Sequence, residues 1–79
     1  MKESLRKSAV SPEIVALGKR IDAIIKSKGM KIREAAHGAD LETENLRKYI
    51  KGTQEMKITT MLRIAKALEV TVWDLFKAE

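Results

Sequence analysis

The sequence predicts an all-α fold built from five short helices. Apolar residues recur at spacings of three and four along almost every segment, which is the period of a helix that packs on one face. No segment alternates apolar and polar residues as a half-buried strand does. Serine, threonine, proline and glycine stand where such helices would begin and end. With 79 residues, we expect one compact helical domain.

The composition excludes several classes of function. There is no cysteine, so disulfides and thiolate metal sites are excluded, and the single His37 cannot form a metal site alone. A chain this short buries only roughly 60–65% of its unfolded surface, which argues against a deep catalytic cleft. No apolar run reaches the roughly 18–20 residues of a membrane span, and the N-terminus lacks the apolar core of a signal peptide. We expect a cytoplasmic protein without a metal or cofactor.

Positive charge is concentrated in the N-terminal third. Residues 1–29 carry seven Lys or Arg against three Asp or Glu, most of the net +5 of the chain. Residues 1–10 are predicted to be a flexible basic arm containing Lys2, Arg6 and Lys7, ahead of a single domain over residues 11–79. Such charge suits contact with a polyanion, but ordinary surface lysines on a small domain explain it as well.

Helix one is predicted to begin at Ser11 and Pro12. Serine is a favoured N-cap, and proline is tolerated at the first helical position because its missing N–H has no partner there. Gly29 ends the helix, with lysines in its last turn as the helix dipole prefers. The predicted inward stripe is Ile14, Leu17, Ile21, Ile24 and Ile25.

Two short helices joined by a tight turn are predicted next. Helix two runs from residue 31 to residue 37 or 38, and helix three runs over residues 43–51. The small Ala36 lies where the helices must cross, and Asp40 and Leu41 form the turn.

Helix three is predicted to have one apolar and one polar face. Leu46 and Tyr49 face inward. The residues left pointing outward are Thr43, Glu44, Arg47 and Lys48. This layout is typical of a helix-turn-helix, whose second helix enters a DNA groove.

Two more helices complete the predicted domain. Gly52 ends helix three as a left-handed cap, and helix four follows over residues 59–68. Its predicted inward stripe is Ile58, Met61, Leu62, Ala65 and Leu68. Thr71 caps a short fifth helix, with Asp74 three residues on as in a capping box. The predicted inward residues of helix five are Val72, Leu75 and Phe76.

The pattern of residues across all five helices resembles the Xre/Cro family of phage-repressor-like domains. The residues that carry the resemblance are Leu17, Gly18, Arg20, Ile21, Gly29, Ala36, Leu46, Gly52, Leu62, Ile64, Ala65, Ala67, Leu68, Val70, Leu75 and Phe76. They cover residues 17–76 without a required gap. The resemblance implies a compact five-helix bundle that contains a helix-turn-helix and binds double-stranded operator DNA, usually as a two-fold dimer. It implies a repressor or small regulatory protein rather than an enzyme.

Three features depart from the family pattern. Family members usually have glutamine where Ile32 stands, and its amide contacts a phosphate. The turn position usually held by glycine is Asp40, which tolerates left-handed geometry better than most residues. Glu42 and Glu44 place two carboxylates at the start of helix three. They either interact favourably with the helix N-terminus or accept from the amino group of cytosine.

The resemblance also assigns candidate DNA contacts. Thr43, Glu44, Arg47 and Lys48 match the base-reading positions of the family, and an arginine can pair with O6 and N7 of guanine. The alternative is a solvated helix face. Asn45 reads adenine, bonds a phosphate or supports the turn. The residues placed where family loops grip the DNA backbone are Lys51, Thr53 and Gln54, and plain loop solvation is the alternative.

Trp73 stands outside the predicted core of helix five, where the family usually has a polar residue. Tryptophan is enriched at interfaces, so a homodimer interface is one interpretation. Folding of Trp73 back onto the core is the other.

Two functions remain open at the level of sequence. The first is a sequence-specific regulator of transcription that reads double-stranded DNA with helix three. The second is a protein-interaction module of the same fold, such as an antitoxin that grips a toxin or an adaptor for a larger regulator. No nucleophile arrangement, acid–base pair or glycine-rich phosphate loop supports an enzyme.

Overall fold

The computed structural model describes residues 11–76, which fold into five α-helices. They are α1 (Pro12–Ser27), α2 (Ile32–Gly38), α3 (Thr43–Lys51), α4 (Ile58–Leu68) and α5 (Val72–Phe76). Within residues 11–76 there is no strand, and no helix is long and apolar enough to cross a membrane. The predicted all-α class is confirmed, and each helix lies within a residue or two of its predicted bounds. The predicted basic arm, with Lys2, Arg6 and Lys7, falls outside the described residues.

The predicted helix ends are confirmed by their hydrogen bonds and backbone angles. The Ser11 hydroxyl accepts from the Ile14 N–H at 3.3 Å, which caps α1. At α5, the Thr71 N–H donates to Asp74 Oδ2 at 2.9 Å, and the Asp74 N–H donates to Thr71 Oγ1 at 3.2 Å. Gly52 ends α3 in the left-handed conformation, with φ 75°. These local bonds supply partners for backbone groups that a helix terminus leaves unpaired.

The core lies where all five helices meet. Helix α1 packs against α3 and α5, α2 packs against α3 and α4, and α4 packs against α5. The largest fully buried side chains are Ile21, Ile25, Leu46, Ile64, Leu68 and Leu75. The buried residues of helix α2 are the small Ala35 and Ala36, which let its backbone approach α3 and α4 closely.

The predicted inward stripe of α4 is wrong at two positions. Ile58 is 71% exposed and Leu62 is 52% exposed. The predicted Ala65 and Leu68 are buried, but the other buried residues of the helix are Thr60 and Ile64, which the predicted stripe left out. Apolar residues cover so much of α4 that periodicity alone does not fix which part faces the core.

The prediction for α5 is wrong at Phe76. That side chain is 54% exposed, whereas Leu75 is fully buried and Val72 is half-buried. A helix of five residues has little more than one turn, so it can bury only a narrow face. The exposed aromatic surface of α5 is therefore larger than the sequence predicted.

Candidate nucleic-acid interface

The turn between α2 and α3 is closed by backbone hydrogen bonds. The Leu41 N–H donates to the Ala36 carbonyl at 2.8 Å, and the Asp40 N–H donates to the His37 carbonyl at 3.1 Å. Asp40 has φ 59°, the left-handed geometry that the sequence predicted aspartate would tolerate. Ala36 is fully buried, as its predicted place between the helices requires. Helix α3 thus leaves α2 through a short turn of defined geometry.

Helix α3 has the two faces that the sequence predicted. Leu46 is fully buried and Tyr49 is 8% exposed, so this face belongs to the core. The exposed residues of the helix are Glu44, Arg47, Lys48 and Lys51, and Thr43 and Asn45 are half-buried beside them. The structure therefore brings all six candidate residues of α3 onto its solvent side or its edges.

Two glycines set how closely the end of α3 approaches α1. A Cβ at Gly18 would lie 2.6 Å from the Ile50 carbonyl oxygen and would also overlap the Tyr49 carbonyl. A Cβ at Gly52 would lie 2.9 Å from Val15 Cα. Because these neighbours are backbone atoms, no side-chain rotation can relieve such a contact. Sequence reasoning noted Gly18 only as part of a family motif, and nothing in its neighbours indicates what it contacts.

An ion pair lies on the outer face of α3. Arg47 Nε is 3.4 Å from Glu44 Oε1, three residues earlier, and both side chains are at least half exposed. An exposed pair with this spacing contributes only about 0.2–0.5 kcal/mol. The guanidinium is therefore directed along the helix but can be released by a stronger partner.

The loop after α3 is tied back to that helix. Both the Thr53 N–H, at 3.1 Å, and the Thr53 hydroxyl, at 3.2 Å, donate to the Lys48 carbonyl. The hydrogen-bond donors of Thr53 are thus used within the protein. Lys51 and Gln54, on either side of this contact, have exposed side chains.

The start of α2 is built without the glutamine that is usual in the family. Ile32 is half-buried and packs against the core. The Glu34 carboxylate accepts from the Lys31 N–H at 2.8 Å, which supplies a partner for the helix terminus. Arg33 is exposed beside them. This end of α2 is therefore stabilised by contacts within the chain.

Arg63 is a residue that sequence reasoning did not single out. It lies on α4, and its guanidinium donates to the Ala39 and Asp40 carbonyls, both at 2.9 Å. These carbonyls belong to the turn that leads into α3. A charged residue on the exposed side of a helix gives no sequence signal of a partner more than twenty positions away.

A family model of the Cro/C1-type HTH DNA-binding domain matches residues 20–79. The chain belongs to this family. The match confirms the resemblance that the motif residues indicated and, with it, the predicted class of DNA-binding regulator. It covers α2, the turn and α3, so the helices described above are the helix-turn-helix of a Cro/C1-type domain.

Solved structures share the fold of this Cro/C1-type domain. The restriction-modification controller protein C.AhdI from Aeromonas hydrophila aligns with a TM-score of 0.81 and 21% identity, over 84% of this chain and 100% of that one. The clp gene regulator ClgR from Corynebacterium glutamicum aligns with a TM-score of 0.79 and 23% identity, over 82% of this chain and 69% of that one. The hypothetical transcription factor NHTF from Neisseria aligns with a TM-score of 0.75 and 17% identity, over 90% of each chain. No curated protein matches the sequence significantly.

Proposed function

We propose that the protein binds double-stranded operator DNA as a homodimer and represses transcription, without enzymatic activity. The observation that carries this proposal is the amphipathic α3. Leu46 and Tyr49 fix its inner face in the core, while its outer face presents charged side chains to solvent. The major groove of DNA, about 12 Å wide, admits a helix held in this way. A protein seated in the groove at an operator blocks polymerase from the same DNA.

Each of the outward side chains of α3 has its own role in base recognition. Arg47 donates to O6 and N7 of guanine, a contact that discriminates by about 1–3 kcal/mol. Glu44 accepts from the amino group of cytosine, and Asn45 pairs with adenine. Thr43 and Lys48 complete the set at the two ends of this face.

The loop after α3 grips the phosphate backbone. Lys51 and Gln54 supply the donors, because both side chains are exposed next to the end of α3. Thr53 holds the loop against the Lys48 carbonyl, so its contribution is to keep those two side chains in reach of phosphates. Contacts of this kind fix the register of the protein on DNA without reading the sequence.

Exposed apolar side chains on α4 and α5 support the homodimer. Trp73 is 78% exposed, so it does not fold back onto the core. Ile58, Leu62 and Phe76 are also more than half exposed. These four residues lie on two helices that pack against each other, and exposed large apolar side chains are typical of interaction surfaces. We place the two-fold contact on this apolar surface of α4 and α5, with Trp73 as its anchor.

Selection of bound duplexes from a random pool tests the proposal. We expect a palindrome to be enriched, with half-sites about one helical turn, or 10 base pairs, apart. The spacing of the half-sites tests whether the protein binds as a dimer, and the sequence of each half-site tests whether α3 reads bases. The absence of any enriched sequence at low salt would contradict the proposal.

A protein-interaction module is the second candidate, and the apolar surface of α4 and α5 is the observation that favours it. The same four side chains can bind a different protein, such as a toxin or a larger regulator, in place of a second copy. The two candidates differ in what binds α3. A stoichiometric protein partner, together with no duplex affinity at low salt, would favour the interaction module.

A further inference from the structure

We propose that Arg63, on α4, is a positioning residue that sets the direction in which α3 leaves the turn. This inference rests on the proposed function of α3 as the reading helix. Arg63 Nε donates to the Ala39 carbonyl and Nη2 donates to the Asp40 carbonyl, both at 2.9 Å. One planar guanidinium therefore holds two consecutive carbonyls with its fork of donors.

These two bonds supply donors to two carbonyls of the turn. The N–H groups of Ala39, Asp40 and Leu41 all donate back to carbonyls of α2. The last carbonyls of a helix have no partner within it, and the end carries a partial negative charge. The Arg63 cation supplies donors to the carbonyls at this point. The turn is thus bonded through its N–H groups to α2 and through its carbonyls to α4.

The peptide between Asp40 and Leu41 is held at both of its polar atoms. Its carbonyl accepts from Arg63, and its N–H donates to the Ala36 carbonyl at 2.8 Å. A peptide unit is planar, so fixing both atoms fixes the orientation of the whole unit. Only Leu41 and Glu42 separate this unit from the first residue of α3. Fixing its orientation therefore restricts the directions in which α3 can leave the turn.

The left-handed conformation of Asp40, which aspartate tolerates less readily than glycine, gives the bond from Arg63 a further role. An L-residue with φ 59° has alternative backbone conformations of lower energy, by roughly 1–2 kcal/mol for most residue types. Family members usually place glycine here, for which the conformation has little cost. In this chain, the bond from Arg63 to the Asp40 carbonyl selects the required conformation. Loss of that bond would let the turn adopt other conformations without removing any side chain from the core.

The test compares Arg63→Lys with the wild-type protein on two probes. One probe is the duplex that the wild-type protein selects from a random pool, and the other is a random-sequence duplex of the same length. Lysine keeps the charge but loses the fork, so we expect affinity for the selected duplex to fall on the order of tenfold. Affinity for the random duplex, which charge dominates, stays the same.

Amide hydrogen exchange provides a readout that general destabilisation would not mimic. In Arg63→Lys, the Leu41 amide should exchange faster, while the core amides of Ile21 and Ile25 keep the wild-type rate. Arg63→Ala and Lys66→Ala are a matched pair, since each removes one charge from the exposed side of α4. Only Arg63→Ala should lower the ratio of specific to random affinity.

The outcomes separate this proposal from the proposed function. An equal loss of affinity for both duplexes would make Arg63 a phosphate contact and would overturn the positioning role. Wild-type affinity for the selected duplex with unchanged Leu41 exchange would overturn it too. Failure of the wild-type protein to select any duplex would instead overturn the proposed function. Leu41 exchange would then still decide whether Arg63 holds the turn.

Discussion

Arg47 and Glu44 are ion-paired on the face of α3 that is proposed to read DNA, and the strength of that pair matters for recognition. The 3.4 Å contact joins two exposed side chains and contributes about 0.2–0.5 kcal/mol. A bidentate guanine contact is worth about 1–3 kcal/mol, so guanine competes successfully for Arg47. The Glu44 carboxylate then either accepts from cytosine or faces phosphates. It is expected to select among sequences rather than to add affinity.

Replacement of Arg47 tests the base-reading role. In Arg47→Ala, we expect affinity for the selected duplex to fall by about 1–3 kcal/mol and the preference for guanine at one position to disappear. Binding isotherms on single-base variants of the duplex measure both effects. Lys19→Ala is the control, because it removes one positive charge from an exposed position on α1. If the two substitutions lowered affinity equally, Arg47 would contribute only its positive charge and would not read a base.

Replacement of Glu44 tests the role of its carboxylate. In Glu44→Gln, we expect affinity for random duplex to rise several-fold, because one repulsive charge near the phosphates is lost. The ratio of specific to random affinity should fall. Competition binding with the two duplexes measures the ratio, and Glu13→Gln on α1 is the matched control. An unchanged ratio would mean that Glu44 only interacts with its own helix.

Helix α3 depends on its neighbours for its placement. Gly18 of α1 lies against the carbonyls at its C-terminal end, and Arg63 of α4 holds the turn at its N-terminal end. The buried Leu46 and Tyr49 anchor its middle. The helix is therefore held at three points along its length. The outer face of α3 therefore stays exposed to solvent while the helix itself is held in place.

Gly18→Ala is expected to destabilise the domain by about 1–3 kcal/mol, because the added Cβ would overlap backbone carbonyls of α3. Urea unfolding followed by circular dichroism measures this loss. Gly29→Ala is the control, since a Cβ there meets nothing within 4 Å and only its φ of 68° is unfavourable. A smaller loss for Gly18→Ala than for Gly29→Ala would show that α1 and α3 can separate at little cost.

The five helices could be predicted because the signals that define them are local. Caps such as Ser11 and Thr71, and the stripe on α1, depend on residues three or four positions apart. The rotation of α4 could not be predicted from periodicity, because Ile58 and Leu62 are as apolar as the residues that the core buries. Only packing against α2 and α5 decides between the two faces.

The candidate site was predictable to a similar extent. The outward face of α3 follows from its helical period, once Leu46 and Tyr49 are known to be inside. The contact made by Gly18 and the bonds made by Arg63 join residues far apart in the sequence. Such contacts depend on tertiary structure, so a single sequence carries no local sign of them. The DNA contacts themselves stay predictions.

The whole domain presents two surfaces of different chemistry. The outer face of α3 is charged, and the exposed side chains of α4 and α5 include two large aromatic residues, Trp73 and Phe76. A two-fold dimer through the second surface would present two copies of α3 to DNA. Half-sites must then be spaced by the distance between those helices, near one turn of DNA, about 34–36 Å. Affinity for a palindrome depends on both surfaces at once.

Trp73→Ala tests the dimer surface. We expect the dissociation constant of the dimer to rise by at least about tenfold, because a central tryptophan is typically a dominant contact. The melting temperature of the monomer should change little, since the Trp73 side chain is 78% exposed and is not part of the buried core. Sedimentation over a range of concentrations measures the association. Ala16→Ser, on the exposed side of α1, is the control. If Trp73→Ala sedimented like the wild-type protein, Trp73 would not be part of a dimer interface.

The most direct measurement of the central claim, that the outer face of α3 reads DNA, is an amide chemical-shift titration with the selected duplex. We predict that the largest changes fall on residues 43–48 and on the loop at residues 51–54. Saturable binding with the largest changes elsewhere, and none over residues 43–48, would contradict the claim.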